Sequence, residues 1–170
     1  MTKKLQAELL KNKIAIFGLG YVGLPLAVEL GKKFDTIGYD ISSNRIKELN
    51  RGLDRTKEFS KRYIKSSKNL IITSQINKLT DRSIFIITVP TPIYKNKKPD
   101  FRNLVDATNV VAKIIKKNSI IIYESTVYPG CTEEICIPII EKETKLIANK
   151  DFFYGYSPER INPGDKKHQL

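Results

Sequence analysis

Short runs of apolar residues alternate along this chain with longer segments in which apolar residues recur at every third or fourth position. The short runs end at glycine, proline or polar residues, which predicts buried β-strands. The longer segments have the spacing of amphipathic helices that bury one face. The predicted strands are 13–17, 36–39, 70–73, 83–89, 119–124 and 152–156, and the predicted helices are 22–33, 42–50, 101–116 and 132–143. The polar segment 52–68 is predicted to be a short helix or a loop.

This alternation predicts an α/β protein with a parallel sheet. Continuous apolar strands between amphipathic helices are typical of a sheet that helices cover on both faces. Six strands joined by five crossovers fit the doubly wound, or Rossmann, architecture. Residues 13–170 are predicted to form one such domain, and residues 1–12 an N-terminal extension. Ligands of this fold bind at the carboxyl ends of the strands, so the residues that follow each strand are the functional candidates.

A glycine-rich loop follows the first predicted strand. Its sequence is the G-x-G-x-x-G run Gly18-Leu19-Gly20-Tyr21-Val22-Gly23. In such a loop the first glycine permits a tight turn, the second lets the backbone approach a pyrophosphate, and the third lets the next helix pack closely on the sheet. The N–H groups that begin this helix can bind phosphates. We therefore expect all six residues to contact a dinucleotide, with an ordinary strand-to-helix turn as the alternative.

An acidic residue ends the second predicted strand at the spacing that this motif requires. Asp40 lies about 20 residues after the glycine loop, where a carboxylate can accept both ribose hydroxyls of an adenosine. It would repel a 2′-phosphate, so NAD is favoured over NADP. Ile41 follows it and is expected to lie beside the adenosine, and Arg45 either faces the adenosine, which we favour, or lies on the surface. A helix-capping acid is the alternative for Asp40.

Polar residues also follow the later predicted strands. Val89, Pro90 and Thr91 come at the end of the fourth strand, where the proline stiffens the loop and the Thr91 hydroxyl would lie near the nicotinamide. A plain strand terminator is the alternative. Thr126 follows the fifth strand, in a place to hold a water or a substrate hydroxyl, with turn formation or helix capping as the alternative.

The loop after the sixth strand carries a carboxylate, a guanidinium and an amide close together, in Glu159, Arg160 and Asn162. A linker does not require these three functional groups so close together, which favours a functional loop. A solvated linker is the alternative.

Charge and cysteine content narrow the classes further. The formal net charge is +12, but the lysines are scattered in pairs at element ends and in loops, without the interleaved aromatics of a nucleic-acid site. No apolar run approaches the ~20 residues of a membrane-spanning helix, so no membrane insertion is expected. Cys131 and Cys136 lack zinc spacing and lie in an isoleucine-rich segment. We expect buried thiols, no metal and a cytoplasmic protein, with His168 exposed and without a role.

Five motifs together carry a family resemblance: IAIFGLGYVGLPLAVEL, GYDI, ITVPTP, ESTVYPG and GYSPERINPGD, in this order. They resemble the amino-terminal domain of the UDP-glucose/GDP-mannose dehydrogenase family over residues 13–165. The SPERINPGD form is most similar to the branch that acts on UDP-N-acetylhexosamines and makes uronic-acid sugars for surface polysaccharides. The resemblance implies NAD as the cofactor and oxidation of a sugar C6 alcohol to a carboxylate with two NAD.

The resemblance also implies roles for single residues. Thr91 and Thr126 match positions near the nicotinamide, and Thr126 also matches a threonine that holds a water. Glu159 matches a glutamate of water activation or substrate contact, with Arg160 and Asn162 beside the sugar nucleotide. Cofactor-binding positions are matched by Gly18, Gly20, Gly23, Asp40 and Arg45.

The family's nucleophilic cysteine, its catalytic lysine and its uridine-binding domain have no match up to Leu170, and Cys131 does not fit the nucleophile's motif. We therefore expect this chain to bind NAD without turnover, and the full-length enzyme to act on a UDP-sugar as a homodimer. A non-catalytic domain that senses NAD or NADH is the alternative.

Overall fold

Six parallel strands form one sheet in the computed structural model, which describes residues 12–158. Each strand pairs in parallel with its neighbours, in the spatial order β3-β2-β1-β4-β5-β6. This is the predicted doubly wound order, and the direction of winding reverses between β1 and β4. The strands are β1 Lys13–Phe17, β2 Asp35–Tyr39, β3 Leu70–Thr73, β4 Ile84–Ile87, β5 Ile120–Tyr123 and β6 Phe153–Tyr156.

Helices connect every strand to the next except β3 and β4, which are joined by a 3₁₀ turn. Two helices lie between β2 and β3, and both follow Asp40 in the sequence. The helical elements are α1 Gly23–Leu30, α2 Ser43–Asn50, α3 Lys61–Ile64, the 3₁₀ turn Ile76–Leu79, α4 Arg102–Ala112, the π-helical turn Thr132–Cys136 and α5 Ile137–Thr144.

The central strands β1, β2 and β4 are buried on both faces, which explains why they are mostly apolar. On β1, Ile14 and Ile16 pack into one core with α1, α2 and α3, whereas Ala15 and Phe17 pack into the other with α4 and α5. Successive side chains of a strand point to opposite faces, so both faces need apolar residues. The two cores fix the carboxyl ends of β1, β2 and β4 as a rigid edge.

Two predicted helices end earlier than their apolar pattern. The Lys32 N–H bonds to the Glu29 carbonyl, three residues back, so the chain leaves α1 after Leu30 through a tight turn. Beyond α4, Ile114 and Ile115 stay buried although they follow the last helical residue. Because the core buries these two residues outside the helix, the apolar spacing of the sequence continues beyond the helix end. Asn118, with φ 66°, adopts the left-handed conformation shortly before β5.

A proline changes the start of the last helix, which was predicted as regular over 132–143. Pro138 has no N–H and cannot complete the usual bond to the carbonyl four residues back. The Ile137 N–H bonds instead to the Thr132 carbonyl, five residues back, which gives the π-helical turn. Lys145, at φ 62°, ends α5.

Two smaller features were not predicted. They are the 3₁₀ turn before β4 and an antiparallel bridge between Ile93 and Pro99, in the segment between β4 and α4. Among residues 12–158, no helix combines the length and the apolarity that crossing a bilayer requires.

A substitution at Gly31 tests how closely the end of α1 packs against β3. A Cβ at Gly31 would lie 2.3 Å from the Ser67 hydroxyl oxygen and 2.8 Å from the Leu70 Cβ, so Gly31→Ala should lower the free energy of unfolding by about 1–3 kcal/mol. Gly155→Ala is the matched control, because no atom lies within 4 Å of its Cβ position. Urea unfolding of both variants checks this, and equal stabilities would contradict the packing.

Candidate functional site

A cavity of about 390 Å³ opens at the carboxyl edge of the sheet, beside the point where the winding reverses. The glycine loop and the ends of β2 and β4 form its walls, with α4 on one side and the segment after α2 on the other. Its lining residues are Phe17, Gly18, Leu19, Gly20, Tyr21, Tyr39, Asp40, Ile41, Ser42, Arg45, Arg55, Thr56, Val89, Pro90, Asn103, Asp106, Ala107 and Val110.

The glycine loop is shaped by two contacts that a side chain would destroy. Gly18 has φ +92°, a conformation that favours glycine. A Cβ on Gly23 would lie 1.8 Å from the Gly18 carbonyl oxygen and 2.3 Å from the Thr88 hydroxyl oxygen. The Thr88 hydroxyl lies 2.8 Å from the Gly18 carbonyl oxygen, to which it donates. These contacts hold the start of α1 against the ends of β1 and β4.

Gly20 differs from the other two glycines of the loop. No atom of residues 12–158 lies within 4 Å of its Cβ position, and the residue is exposed and lines the cavity. Nothing in the fold itself therefore requires glycine at this place. The missing side chain leaves room for a ligand to touch the backbone, beside helix N–H groups that precede the first helical bond, from Leu24 N–H to the Gly20 carbonyl.

The Asp40 carboxylate joins the glycine loop to the start of α2. One oxygen accepts the Leu19 N–H at 2.9 Å and the other accepts the Ser42 N–H at 2.8 Å. The second bond is the local one that the capping alternative predicts, but the residue also lines the cavity. Because an ionised carboxylate can accept about four hydrogen bonds, Asp40 retains capacity for a ligand hydroxyl.

Arg45 is buried, with 5% of its surface exposed, so the alternative that it lies on the surface is wrong. Its Nε donates to the Leu19 carbonyl at 2.9 Å and its Nη1 donates to the Asp54 carboxylate at 2.8 Å. Its buried Nη2 has no acceptor in the described part of the chain. Arg45 therefore holds the glycine loop through the Leu19 carbonyl. Its Nη2 remains an unused donor in a residue that lines the cavity.

Asp54 organises the segment after α2. Its fully buried side chain accepts the Arg45 guanidinium, the Thr56 hydroxyl and the backbone N–H groups of Thr56, Glu58 and Phe59. Burial opposes ionisation, but these hydrogen bonds outweigh it and lower the pKa of the Asp54 carboxyl. The carboxylate is thus the centre around which the loop is folded.

The loops after β4 and β5 are bonded to each other. The Thr91 hydroxyl donates to the Thr126 carbonyl at 2.5 Å, and the Ser125 hydroxyl donates to the Val89 carbonyl at 2.6 Å. Val89 and Pro90 line the cavity, as expected, but Thr91 and Thr126 are not among its lining residues. The Thr126 side chain is exposed. Glu159, Arg160, Asn162 and His168 lie outside the described residues.

Both cysteines are buried, as predicted from their isoleucine-rich surroundings. Burial raises the pKa of the Cys136 thiol to about 11, and it also raises the pKa of the Cys131 thiol. Neither thiol is therefore an activated nucleophile.

Several residues of the site were not expected from the sequence. Thr88 reads as an ordinary strand position, and Asn103, Asp106, Ala107 and Val110 read as parts of an amphipathic helix. Arg55 and Thr56 lie in the polar segment whose structure was left open between a short helix and a loop. Of these residues, only those on α4 could have been expected from the sequence. The helix that follows β4 must begin beside the carboxyl edge of the sheet, so one of its faces lies near the site.

Comparison with known families shows what this domain binds. The model of the NAD binding domain of the UDP-glucose/GDP-mannose dehydrogenase family matches residues 12–170. The chain belongs to this family, whose domain binds NAD. The cavity at the glycine loop is the candidate place for this cofactor, because the open space at Gly20 leaves room for a pyrophosphate.

Relatives in the same family are similar over most of this chain. The UDP-N-acetyl-D-glucosamine 6-dehydrogenase of Pseudomonas aeruginosa is 53% identical over 158 residues, which are 93% of this chain and 37% of that protein. The solved UDP-D-ManNAc dehydrogenase of Pyrococcus horikoshii has a TM-score of 0.82 at 35% identity, over 89% of this chain and 37% of its own. A ternary complex of GDP-mannose dehydrogenase from P. aeruginosa has a TM-score of 0.83 at 29% identity, with the same coverage. The chain thus spans little more than a third of the length of the relatives it matches.

Two glycines of the loop should respond in opposite ways to alanine. Gly20→Ala should leave the free energy of unfolding within about 0.5 kcal/mol, because its Cβ meets no atom of the chain, but weaken NAD binding about tenfold or more. Gly23→Ala should destabilise the chain by about 3 kcal/mol, since its Cβ would meet the Gly18 carbonyl oxygen. Urea unfolding and calorimetric titration with NAD measure both effects. A stable Gly20→Ala variant with unchanged NAD affinity would contradict this use of the open space.

The charge of Asp40 should set the preference between NAD and NADP. The unmodified chain should bind NAD at least about tenfold more tightly than NADP, because a carboxylate repels a 2′-phosphate. Asp40→Asn should shrink this ratio, while costing about 1–3 kcal/mol of stability because one of the two N–H donors at 2.8–2.9 Å loses its acceptor. The ratio of affinities is measured by calorimetry on folded protein. Asp35→Asn is the control, since Asp35 lies at the other end of β2, paired with Arg82, and should leave the ratio unchanged.

Proposed function

We propose that this chain is the NAD-binding part of a nucleotide-sugar 6-dehydrogenase that oxidises the C6 alcohol of a UDP-N-acetylhexosamine to the uronate. The observation that carries the proposal is the cavity at Gly20 and Asp40 in a chain 53% identical to a UDP-N-acetyl-D-glucosamine 6-dehydrogenase. A second relative of that name, from Salmonella typhi, is 51% identical over 158 residues. Both support a UDP-N-acetylhexosamine as the substrate class.

In this proposal, different residues of the cavity bind different parts of NAD. Asp40 and Ile41 hold the adenosine, and the buried Nη2 of Arg45 supplies a donor to it. The N–H groups of Tyr21 and Val22, at the start of α1, bind the pyrophosphate next to Gly20. Bound NAD supplies the hydride acceptor for the alcohol, and this domain holds its nicotinamide toward the loops after β4 and β5.

Thr91 and Thr126 belong to those two loops. The bond from the Thr91 hydroxyl to the Thr126 carbonyl fixes the loops relative to each other and leaves the Thr126 hydroxyl exposed. We assign Thr126 the role of holding a water or a substrate hydroxyl beside the nicotinamide. Glu159, which follows β6 in the sequence, would contact the substrate or activate water, and Arg160 and Asn162 would contact the sugar nucleotide.

The raised thiol pKa values support the view that the described residues do not supply the nucleophile. The chain alone would then bind NAD without turnover, and the complete enzyme would be a cytoplasmic homodimer that provides surface-polysaccharide precursors. A domain that only senses NAD or NADH through the same cavity is the second candidate, because the described cavity accounts for cofactor binding alone.

A chimera separates these two functions. We expect it to form NADH from UDP-N-acetyl-D-glucosamine when this chain replaces the matching third of the P. aeruginosa enzyme, at a rate within about tenfold of the parent. Thr126→Val in the chimera should lower kcat with little change in the KM for NAD, and Thr126→Ser should restore it. The isolated chain should bind NAD in calorimetry and form no NADH with the same sugar nucleotide.

The outcomes differ for each error. A chimera that is folded and binds NAD but never forms NADH favours the sensing function. Robust NADH formation by the isolated chain would refute the expectation that it binds without turnover. A Thr126→Val chimera with unchanged kcat would remove the role given to that hydroxyl.

A further inference from the structure

Two guanidinium groups line the cavity at the end where Asp40 lies, those of Arg45 and Arg55. An arginine close to this position is the group with which a Rossmann domain accommodates the 2′-phosphate of NADP. A cavity with two such side chains therefore carries the means to bind NADP. What each guanidinium already contacts decides whether it can be used.

Arg45 is fixed in position. Its Nε and Nη1 are bonded to the Leu19 carbonyl and to the buried carboxylate of Asp54, which compensates its charge. Its buried Nη2 has no acceptor among the described residues, so Arg45 can offer that one group to a ligand only from the position it already has.

Arg55 is held differently, by a single pair at the surface of the cavity. Its Nε lies 2.7 Å from Oε2 of Glu48 and its Nη2 lies 2.9 Å from Oε1, two parallel charge-assisted bonds. The side chain of Arg55 is 51% exposed and that of Glu48 is 33% exposed. An exposed ion pair contributes little to stability, so this pair matters chiefly for which ligand the guanidinium can bind.

Arg55 also lies within electrostatic reach of Asp40. The Glu48 hydrogen bond is the main cause of the raised pKa of Arg55, and the charge of Asp40 adds to it. The same bond with Arg55 lowers the pKa of Glu48, so both groups are charged at neutral pH. Arg55 also lines the same cavity as the carboxylate that would receive the ribose hydroxyls, with its Nε and Nη2 bonded to Glu48.

We propose that Glu48 is a specificity residue that keeps Arg55 from binding a 2′-phosphate, so that NAD is selected by two carboxylates and not by Asp40 alone. Asp40 repels the phosphate directly, and Glu48 occupies Nε and Nη2 of the exposed guanidinium, that of Arg55, which could otherwise compensate for that repulsion. Glu48 lies on α2 three residues after Arg45, and its Oε2 is 4.0 Å from Arg45 Nη1, so it stands next to both guanidiniums that line the cavity. The inference rests on the placement of the adenosine at Asp40 proposed above.

Glu48→Gln tests the inference, because glutamine keeps the size of the side chain and removes the charge that holds Arg55. We expect about a tenfold gain in NADP affinity, from one charge-assisted contact to the phosphate, with NAD affinity nearly unchanged. In the Arg55→Gln background the same change should give no gain. Glu143→Gln, which removes the same charge from the exposed surface of α5, is the control and should alter neither affinity.

Calorimetry with NAD and with NADP on the 170-residue chain measures all of these variants, and thermal unfolding checks that each is folded. An unchanged ratio of NADP to NAD affinity in Glu48→Gln, while Asp40→Asn still shifts it, would overturn the role of Glu48 and leave the adenosine placement standing. An equal gain with and without Arg55 would also overturn it, because the charge of Glu48 alone would then explain the effect. Failure of the unmodified chain to bind NAD would overturn the proposed function, and this inference with it.

Discussion

The approach of α1 to the backbone of the glycine loop is the contact on which the rest of the site depends. At Gly23 the helix lies so close to the Gly18 carbonyl that a Cβ would be 1.8 Å from its oxygen. The Thr88 hydroxyl, from the end of β4, donates to the same carbonyl. One peptide unit thus brings together the ends of β1 and β4 and the start of α1. The helix N–H groups reach the cavity only because this contact is possible.

The next layer of contacts fixes the glycine loop from the other side. Leu19 donates its N–H to Asp40 and accepts the Arg45 guanidinium at its carbonyl. Arg45 in turn is held by the buried carboxylate of Asp54. The loop is therefore fixed through both the N–H and the carbonyl of Leu19 before any ligand binds. A site arranged in advance loses less entropy on binding, which is how a short loop can hold a large dinucleotide.

The parallel, doubly wound sheet could be predicted from the sequence, and so could the candidate residues at its carboxyl edge, because both depend on local pattern. Six apolar runs predict the parallel sheet, and the glycine spacing with Asp40 at the next strand end predicts the cofactor edge. The helix ends were less predictable, since Ile114 and Ile115 are buried by the core outside α4, and Pro138 shifts one hydrogen bond by one residue. The partners of Arg45 were beyond prediction. Asp54 lies in a polar segment without a periodic pattern, and its pairing depends on how that segment folds back.

The charges at the Asp40 end of the cavity oppose the charge of the whole chain. The chain carries +12, yet the two guanidiniums that line this end, of Arg45 and Arg55, face three carboxylates, of Asp40, Glu48 and Asp54. Local groups dominate a ligand's interaction here, because exposed charges beyond about 10 Å are largely screened by salt. Anionic groups are attracted instead to the N–H donors at Gly20, while a neutral ribose fits beside the carboxylates. This division of charge matches a dinucleotide whose phosphates lie in its middle and whose adenosine sugar carries none.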